Sequence, residues 1–317
     1  MKIVVRANFG APVINARVRE LVGDDALIVT NDAEMEAAIP EAEALVIPDS
    51  TASPEVARIL REKAKRLSWI QMLSAGYDAT LRYGIPPGVI LTNAGDAYAP
   101  SVATHAMALL LSVQKRFPAM LRAQQQHRWA REVNEHCRIP FDGTAVVIGF
   151  GHIGQEIGRL LKEFGAHVVA VNRHGTPHPH ADEAVALARL HDVLPRADSV
   201  VIAIAANEET RHLIGVAELA LMKPTTALVN IARGYIVDCL ALAEALQKGT
   251  IGGAGLDVTE PEPLPVDHPL WDAPNLLISP HSAGASGAVM GKRLAKVVGE
   301  NIARRLKGEK LAFIVRP

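Results

Sequence analysis

Short apolar runs rich in β-branched residues alternate with segments of helical periodicity along most of the 317-residue chain. The first series comprises KIVV, ALIVT, ALVI, WIQML and VILTN, with segments such as PEVARILREKAK between them. A second series begins at TAVVIGF and continues through HVVAVN, SVVIAIA, TALVNIA, GAGLDV and LLISP. Strands that alternate with helices are typical of parallel α/β sheets. The two series therefore predict an α/β protein with two parallel sheets.

A long connection separates the two series of strands. It contains the helical stretch SVATHAMALLLSVQ, followed by the polar stretch RAQQQHRWAREVNEH. Near the end of the chain a helical pattern runs from about Ala285 to Leu306, and the apolar LAFIV after it is expected to return to the first sheet. We therefore expect one domain of residues 1–98 and 286–317 and a second of residues 99–285. Residues 99–140 of the second domain would form a crossover helix and an arm.

The charge balance favours a small-molecule partner. The chain has 33 Lys and Arg against 34 Asp and Glu and no long basic block, so it lacks the electrostatic footprint expected for binding nucleic acid or an anionic membrane. The least charged long segment, Ala97 to Gln114, contains Pro100, Thr104 and His105. It is therefore typical of a buried helix and not of a bilayer span.

Cysteine usage and the first residues predict a cytoplasmic protein. Cys137 and Cys239 are too few for a disulfide framework, and their spacing is not that of metal ligands. The opening MKIVVRANFG is typical of a strand and not of an export signal. We expect a reducing compartment and no bound metal.

The stretch VVIGFGHIGQE places Gly149, Gly151 and Gly154 on a G-x-G-x-x-G spacing. Three turn glycines without a ligand can produce the same spacing by chance, so the neighbouring residues decide whether it marks a dinucleotide site. A β-type run precedes the glycines, and apolar residues at helical spacing follow them until Gly165. A strand, a glycine turn and a helix in this order predict a dinucleotide site, with the pyrophosphate at the helix N-terminus.

The end of the next strand indicates which dinucleotide is bound. An acidic residue about 20 positions beyond the glycines usually binds the ribose 2′-hydroxyl of NAD. Here the strand ends in Asn172, followed by Arg173 and His174. A carboxylate would repel a 2′-phosphate, whereas Asn172 donates a hydrogen bond and Arg173 offers a charged planar fork. The sequence favours NADP(H) over NAD(H), with the alternative that Arg173 stacks on the adenine or points into solvent.

Three other strand ends carry polar side chains: NIARG with Arg233, LDVTEPEPLP with Asp257 and Glu262, and ISPHSAG with His281. Side chains at the carboxyl ends of parallel strands face the crevice in which ligands bind. Taken singly, each has an ordinary structural explanation: a surface salt bridge for Arg233, a solvated loop charge for Glu262 and a core histidine for His281.

Taken together, these stretches resemble the D-isomer-specific 2-hydroxyacid dehydrogenases over essentially the whole chain. The matching stretches are GYD, VATHAMALLL, GFGHIG, TRHLIG, NIARG, DVTEPEPLP and PHSAG. The spacing from Arg233 to Glu262 and from Glu262 to His281 is that of the motif of this family. The resemblance implies a catalytic triad of Arg233, Glu262 and His281. It also implies a Rossmann-type doubly wound cofactor domain, a flavodoxin-like substrate domain and a homodimer formed through the 115–140 arm.

The resemblance extends to binding residues. It implies that the backbone of Ala75 and Gly76, together with Arg233 and His281, binds the substrate, and that Asp257 lies near the nicotinamide amide. The full set of expected cofactor-binding residues is Gly149, Gly151, His152, Ile153, Gly154, Asn172, Arg173, His174, Ala205, Ile231, Ala232, Arg233, Asp257 and Gly284.

The residue types suit the reduction of a 2-oxo acid. This reaction needs a proton for the developing alkoxide and a cation for the carboxylate. A histidine is a suitable proton donor because the ordinary pKa of an imidazole lies near neutral pH, and Glu262 would favour the imidazolium by charge attraction. Arg233 would hold the carboxylate with its planar fork.

The leading hypothesis is NADPH-dependent reduction of small 2-oxo acids. Resemblance to the bacterial glyoxylate and hydroxypyruvate reductases makes glyoxylate and hydroxypyruvate the first candidate substrates. Two alternatives stay open: a bulkier 2-keto acid such as phenylpyruvate, and a non-enzymatic nucleotide-sensing protein like the corepressors of the family. The lack of long basic or peptide-like tails argues against the second alternative.

Overall fold

The computed structural model describes residues 1–139 and 143–315. The chain divides into two compact units, one of Met1–Tyr98 with Ala285–Pro317 and the other of Ala99–Gly284. Pro140, the last residue of the predicted arm, and Arg316 and Pro317, at the end of the predicted first domain, lie outside the described residues.

The first unit contains a five-stranded parallel sheet. Its elements in chain order are β1 (Ile3–Val5), α1 (Ala11–Val22), β2 (Ala26–Ile28), α2 (Asp32–Ala38), β3 (Ala44–Ile47), α3 (Pro54–Lys63), β4 (Trp69–Met72), α4 (Asp78–Tyr83) and β5 (Ile90–Thr92). The strand order β2-β1-β3-β4-β5 is that of flavodoxin-like folds. Strands β1, β3 and β4 consist of buried residues, as expected for parallel strands covered on both faces.

The second unit contains a seven-stranded parallel sheet. Its elements are α5 (Ala99–Gln114), α6 (Phe117–Gln125), β6 (Thr144–Ile148), α7 (His152–Glu163), β7 (His167–Asn172), β8 (Glu183–Ala186), α8 (Leu190–Val193), β9 (Ser199–Ile202), α9 (Val216–Leu221), β10 (Ala227–Asn230), α10 (Cys239–Gln247), β11 (Gly253–Leu256) and β12 (Leu276–Ile278). The strand order is β12-β11-β10-β9-β6-β7-β8. Read from β8, it is the doubly wound order of Rossmann folds with one added strand. The predicted fold class is confirmed.

The last helix, α11 (Ala288–Leu306), packs on α1 in the first unit. It begins three residues after the start predicted from periodicity, since Gly287 adopts a left-handed φ of 54° at its N-terminus. After α11, Ile314 pairs antiparallel with Thr92 beside β5. The apolar end of the chain thus returns to the first sheet.

Short 3₁₀ segments complete the secondary structure. They are Gly23–Asp25, Ile39–Glu41, Asp49–Thr51, Arg131–His136, Leu187–Arg189, Leu194–Arg196, Glu208–Thr210, Gly234–Ile236 and Pro269–Asp272. Of the helices in the described ranges, none combines the length and the apolar character that crossing a bilayer requires.

Buried apolar clusters cover both sheets. In the first unit, one cluster is centred on Ile3, Ile14 and Leu294, and another on Val4, Ile59 and Met72. Since neighbouring residues of a strand point to opposite faces, Ile3 and Val4 show that both faces of this sheet are covered.

All seven strands of the second sheet are parallel, so their carboxyl ends lie at one edge, which we call the carboxyl edge.

Candidate active site

The glycine turn lies at the carboxyl end of β6, where the strand order reverses between β6 and β9. Gly149 has a left-handed φ of 92°, and a Cβ there would lie 2.3 Å from the Cα of Ile204. A Cβ on Gly154 would lie 2.0 Å from the carbonyl oxygen of Gly149. These two glycines are therefore required by the packing of the turn itself.

Gly151 differs from the other two glycines. A Cβ built on it meets no heavy atom within 4 Å, and it caps α7 without a side chain. His152, Ile153 and Gly154 form the first turn of α7 behind it. Open space in front of a helix N-terminus is what close approach of a pyrophosphate needs, so the turn fits a dinucleotide. When bound, a reduced nicotinamide dinucleotide supplies a hydride.

The loop after β7 is organised by Asn172. Its side-chain Oδ1 accepts from the backbone N–H groups of His174 at 3.2 Å and Thr176 at 2.9 Å, and its Nδ2 donates to the carbonyl oxygen of Thr176 at 2.8 Å. The amide of Asn172 thus folds the loop and leaves Arg173 and His174 exposed. Direct donation from Asn172 to a 2′-phosphate stays a prediction.

A histidine of this loop region packs near the glycine turn. The ring of His178 meets the ring of Phe150 edge-on, with 5.4 Å between their centroids. Removal from water, followed by repulsion from His180, lowers the pKa of His178 below its ordinary value. The imidazole of His178 is therefore neutral at physiological pH.

The other predicted cofactor residues follow neighbouring strands at the carboxyl edge. Ala205 lies after β9, exposed, and its carbonyl oxygen accepts from Thr210 Oγ1 at 3.3 Å. Ile231 and Ala232 follow β10 and are buried. Gly284 is the last residue of the second unit.

Arg233, Asp257 and His281 follow β10, β11 and β12, which are adjacent strands. Hydrogen bonds connect the three strand ends in series. Asn230 Nδ2 donates to the carbonyl oxygen of Arg233 at 2.9 Å, Asp257 N donates to the carbonyl oxygen of Asn230 at 3.0 Å, and His281 N donates to that of Asp257 at 2.8 Å. The fold therefore brings the regions of Arg233 and His281 together, although they are distant in the sequence.

Glu262 lies in the loop after β11 and contacts His281. Its Oε1 is 2.7 Å from His281 Nδ1, and the two side chains are 43% and 50% exposed within this chain. A carboxylate only accepts, so Nδ1 carries the hydrogen and Nε2 is the nitrogen directed away from the pair. Such a pair can hold a proton at Nε2 and deliver it to a bound oxygen.

The loop of Glu262 is tied to neighbouring segments. A Cβ on Gly234 would lie 1.9 Å from the carbonyl oxygen of Thr259, so the loops after β10 and β11 are in close contact. Glu260 forms an ion pair with Arg211 at 2.7 Å, and its Oε2 lies 3.3 Å from His212 Nε2. Glu262 is thereby held on a loop that is fixed on two sides.

The carboxylate of Asp257 accepts hydrogen bonds from three residues of the His281 loop, by which we mean residues 279–284. Its side chain is buried, with Oδ1 accepting from Ser279 Oγ at 2.7 Å and Ser282 N at 2.8 Å, and Oδ2 accepting from Ala283 N at 2.9 Å. His281 has a φ of 50°, in the left-handed region that costs free energy for a residue other than glycine. The bonds of Asp257 on both sides of His281 hold this conformation.

The predicted substrate loop lies in the first unit, between β4 and α4. Asn93 Nδ2 donates to the carbonyl oxygen of Ala75 at 3.1 Å, and Ser74 Oγ accepts from Asp49 N at 3.2 Å. In a trans peptide the N–H lies opposite to the C=O, so the bond of Asn93 directs the N–H of Gly76 to the other side of the loop. That orientation suits binding of an anion by the backbone.

Cys239 lies next to the loop that carries Glu260 and Glu262. It is buried, its Sγ accepts from Glu260 N at 3.5 Å, and burial raises the pKa of its thiol. The thiol therefore stays protonated near neutral pH and is a poor nucleophile. Within the described ranges, no three His, Cys, Asp or Glu side chains lie together as a metal site would need.

Sequence reasoning missed three residues of this region: Ser101 and His105 on α5, and Ser279. Ser101 Oγ donates to the carbonyl oxygen of Ala283 at 3.0 Å, and His105 Nε2 lies 2.8 Å from Ser279 Oγ. The available signal was a pair of polar residues at i and i+4 on a mostly apolar helix. That pattern alone does not identify the partner.

Comparisons with known proteins identify relatives of this chain. Residues 107–283, more than half of the chain, match the family model described as D-isomer specific 2-hydroxyacid dehydrogenase, NAD binding domain. The D-3-phosphoglycerate dehydrogenase of Mycobacterium bovis is 36% identical over 279 residues, which cover 86% of this chain and 51% of that protein. This chain therefore spans about half the length of that relative.

Two further proteins match this chain over most of its length and most of their own length. The glyoxylate reductase of Thermococcus gammatolerans is 35% identical over 256 residues, 78% of this chain and 76% of the relative. The crystal structure of the NADPH-dependent glyoxylate/hydroxypyruvate reductase of Sinorhizobium meliloti, in complex with NADP and sulfate, superposes with a TM-score of 0.84 at 25% identity and covers 99% of this chain and 98% of its own. The chain belongs to the D-isomer specific 2-hydroxyacid dehydrogenase family, and the matched segment is the NAD binding domain of that family.

Proposed function

We propose that this chain reduces small 2-oxo acids to 2-hydroxy acids with NADPH, and that glyoxylate and hydroxypyruvate are its substrates. The observation that carries the proposal is the 2.7 Å contact between Glu262 Oε1 and His281 Nδ1 at the carboxyl edge. It leaves His281 Nε2 as a proton donor next to strand ends that, in this family, belong to an NAD binding domain.

In the proposed reaction each residue has a separate task. His281 delivers the proton of Nε2 to the carbonyl oxygen as the carbonyl carbon becomes tetrahedral, so the product is a 2-hydroxy acid. Glu262 orients the imidazole and stabilises its protonated form until the proton leaves. Arg233 holds the substrate carboxylate and stabilises the charge that grows on the carbonyl oxygen.

The proposal assigns a role to each unit. The backbone N–H groups of Ala75 and Gly76 would receive the substrate carboxylate, which makes residues 1–98 and 285–317 the substrate domain. Residues 99–284 would be the cofactor domain, with the glycine turn holding the pyrophosphate and Asp257 and Gly284 at the nicotinamide end.

A preference for NADPH is supported by the loop after β7. No carboxylate ends this strand, and Arg173 and His174 are exposed beyond the turn that Asn172 folds. A guanidinium binds a phosphate through two parallel N–H donors. The Sinorhizobium meliloti relative is itself described with NADP bound.

Replacing Arg173 by alanine tests this preference. We expect the KM for NADPH to rise by about 10-fold or more, because a charge-assisted hydrogen bond is lost, while the KM for NADH stays unchanged. Arg189→Ala is the matched control, since Arg189 is exposed and pairs with Asp192. Equal effects on NADPH and NADH, or no effect on either, would contradict binding of a 2′-phosphate by Arg173.

The reaction itself is tested by a substrate screen. Oxidation of NADPH and of NADH by the purified chain is followed with glyoxylate, hydroxypyruvate, pyruvate, phenylpyruvate and a phosphorylated 2-oxo acid. We expect the highest kcat/KM with NADPH and either glyoxylate or hydroxypyruvate. A higher value for phenylpyruvate or the phosphorylated acid would replace the proposed substrate, and cofactor binding without any turnover would favour the nucleotide-sensing alternative.

We also propose that the chain forms a homodimer through the 115–140 arm. The described part of the arm, up to Ile139, exposes large apolar side chains to an unusual degree: Trp129 is 86% exposed, and Phe117, Leu121 and Ile139 are about half exposed. Exposed apolar clusters of this kind are typical of protein interfaces.

A further inference from the structure

Helix α5 contacts the His281 loop at two points. Ser101 and His105 are four residues apart, so their side chains lie on the same face of the helix. Ser101 Oγ donates to the carbonyl oxygen of Ala283 at 3.0 Å, and His105 Nε2 lies 2.8 Å from Ser279 Oγ. One contact falls on each side of His281 in the sequence, so the helix holds both ends of the short segment that carries the proposed proton donor.

The direction of the His105 bond follows from counting hydrogens. Ser279 has one hydroxyl hydrogen, and its Oγ lies 2.7 Å from Asp257 Oδ1. The carboxylate of Asp257 accepts from Ser282 N and Ala283 N as well, and its oxygens offer only lone pairs. Ser279 therefore donates to Asp257, and its oxygen accepts from His105. His105 must carry a hydrogen on Nε2.

The opposite arrangement leaves two acceptors in contact. If Ser279 donated to His105, the hydroxyl oxygen and Asp257 Oδ1 would face each other at 2.7 Å without a hydrogen between them. His105 Nε2 also lies 3.4 Å from Asp257 Oδ1, so an N–H on this nitrogen is favoured by the charge of the carboxylate. The hydrogen bonds thus run in one direction, from His105 Nε2 to Ser279 Oγ and from Ser279 Oγ to Asp257 Oδ1.

We propose that His105 is a positioning residue for His281, acting through Ser279 and Asp257 with Ser101 as the second tie. Asp257 supports the left-handed φ of His281 by accepting from the residues around it and from His281 N through its carbonyl oxygen. By donating to Ser279 Oγ, His105 fixes the rotamer in which the hydroxyl of Ser279 donates to the carboxylate of Asp257. Its effect on turnover rests on the proposed function, whereas its effect on the order of the loop does not.

Three substitutions of His105 separate hydrogen-bond donation from packing. In His105→Gln, the side-chain amide keeps an N–H at about the position of imidazole Nε2. In His105→Asn, the side chain is too short for its amide to reach Ser279. His105→Leu has no hydrogen-bond donor. Thr104→Val is the control, because Thr104 is the exposed neighbour on the same helix. Steady-state kinetics with NADPH and glyoxylate are measured together with hydrogen exchange of the Ser282 and Ala283 amides.

We expect the Leu and Asn variants to lose between about 10-fold and 10²-fold in kcat, a larger change than in the KM for NADPH, since the expected contacts of the glycine turn with the pyrophosphate are not altered. Both should exchange the Ser282 and Ala283 amides faster than the wild type, whereas the Gln and Thr104→Val variants behave like it. The comparison of Gln with Asn remains decisive if the Leu variant does not fold.

Wild-type kcat and exchange in the Asn variant would overturn the proposal, as would equal losses in the Gln and Asn variants. An inactive wild type would instead contradict the proposed function. In that case the exchange rates of the four variants still decide whether His105 orders the His281 loop.

Discussion

Replacement of His281 by alanine is expected to lower kcat for reduction of 2-oxo acids by about 10²-fold to 10⁴-fold. His281 Nδ1 is bound to Glu262, so in the proposed reaction Nε2 is the ring nitrogen that would protonate the carbonyl oxygen. Water replaces a positioned acid poorly, because it has no fixed geometry at the carbonyl oxygen. Steady-state kinetics with NADPH and glyoxylate measure the change.

Binding of NADPH provides the internal control for this variant. The expected cofactor contacts lie on the glycine turn and the loop after β7, so the dissociation constant measured by fluorescence titration should stay close to that of the wild type. His191→Ala is the matched substitution, since His191 is exposed and pairs with Glu218 away from the carboxyl ends of β10, β11 and β12. Turnover near the wild-type level in the His281 variant would exclude it as the proton donor.

Replacement of Arg233 by lysine is expected to lower kcat/KM for the 2-oxo acid by about 10²-fold, the scale of one lost donor to a developing oxyanion. Lysine keeps the positive charge but loses the planar fork that binds a carboxylate through two parallel hydrogen bonds. In the structure, Nη1 of Arg233 donates to the carbonyl oxygen of Ala232 at 2.8 Å, which helps to fix the plane of the guanidinium. A lysine ammonium has no such plane.

The measurement is kcat/KM for glyoxylate and hydroxypyruvate at saturating NADPH. Arg189→Lys makes the same chemical change at an exposed ion pair and should leave this constant unchanged. If Arg233→Lys kept the wild-type value, charge alone would be sufficient and the fork would have no role. A rise in the KM for NADPH without a change for the acid would move Arg233 from substrate binding to cofactor binding.

The fold class was predictable because it rests on local patterns. Apolar runs such as Thr144–Ile148 form strands buried on both faces, and Gly149 and Gly154 are required by the packing of one turn. Strand β8 (Glu183–Ala186) was not predicted. It pairs on one side only, at the edge of the sheet, so its residues need not be apolar.

Candidate residues at the strand ends were predictable for a related reason. Parallel strands direct their carboxyl ends to one edge, so Arg233, Asp257 and His281 were expected near each other before any distance was known. Their hydrogen bonds were not predictable. Asn172, interpreted from the sequence as a ligand of phosphate, also forms hydrogen bonds with the backbone of its own loop in the structure.

The sequence by itself determined the two parallel sheets, the glycine turn and the residue types available for chemistry, since each depends on neighbouring residues or on the direction of strands. Only the tertiary structure decided that Glu262 contacts Nδ1 of His281, that Asp257 gathers the loop around it, and that His105 reaches Ser279 across 174 positions of the sequence. Hydrogen bonds are short and directional, so partners distant in the sequence are defined only when the folded chain brings their atoms within about 3 Å.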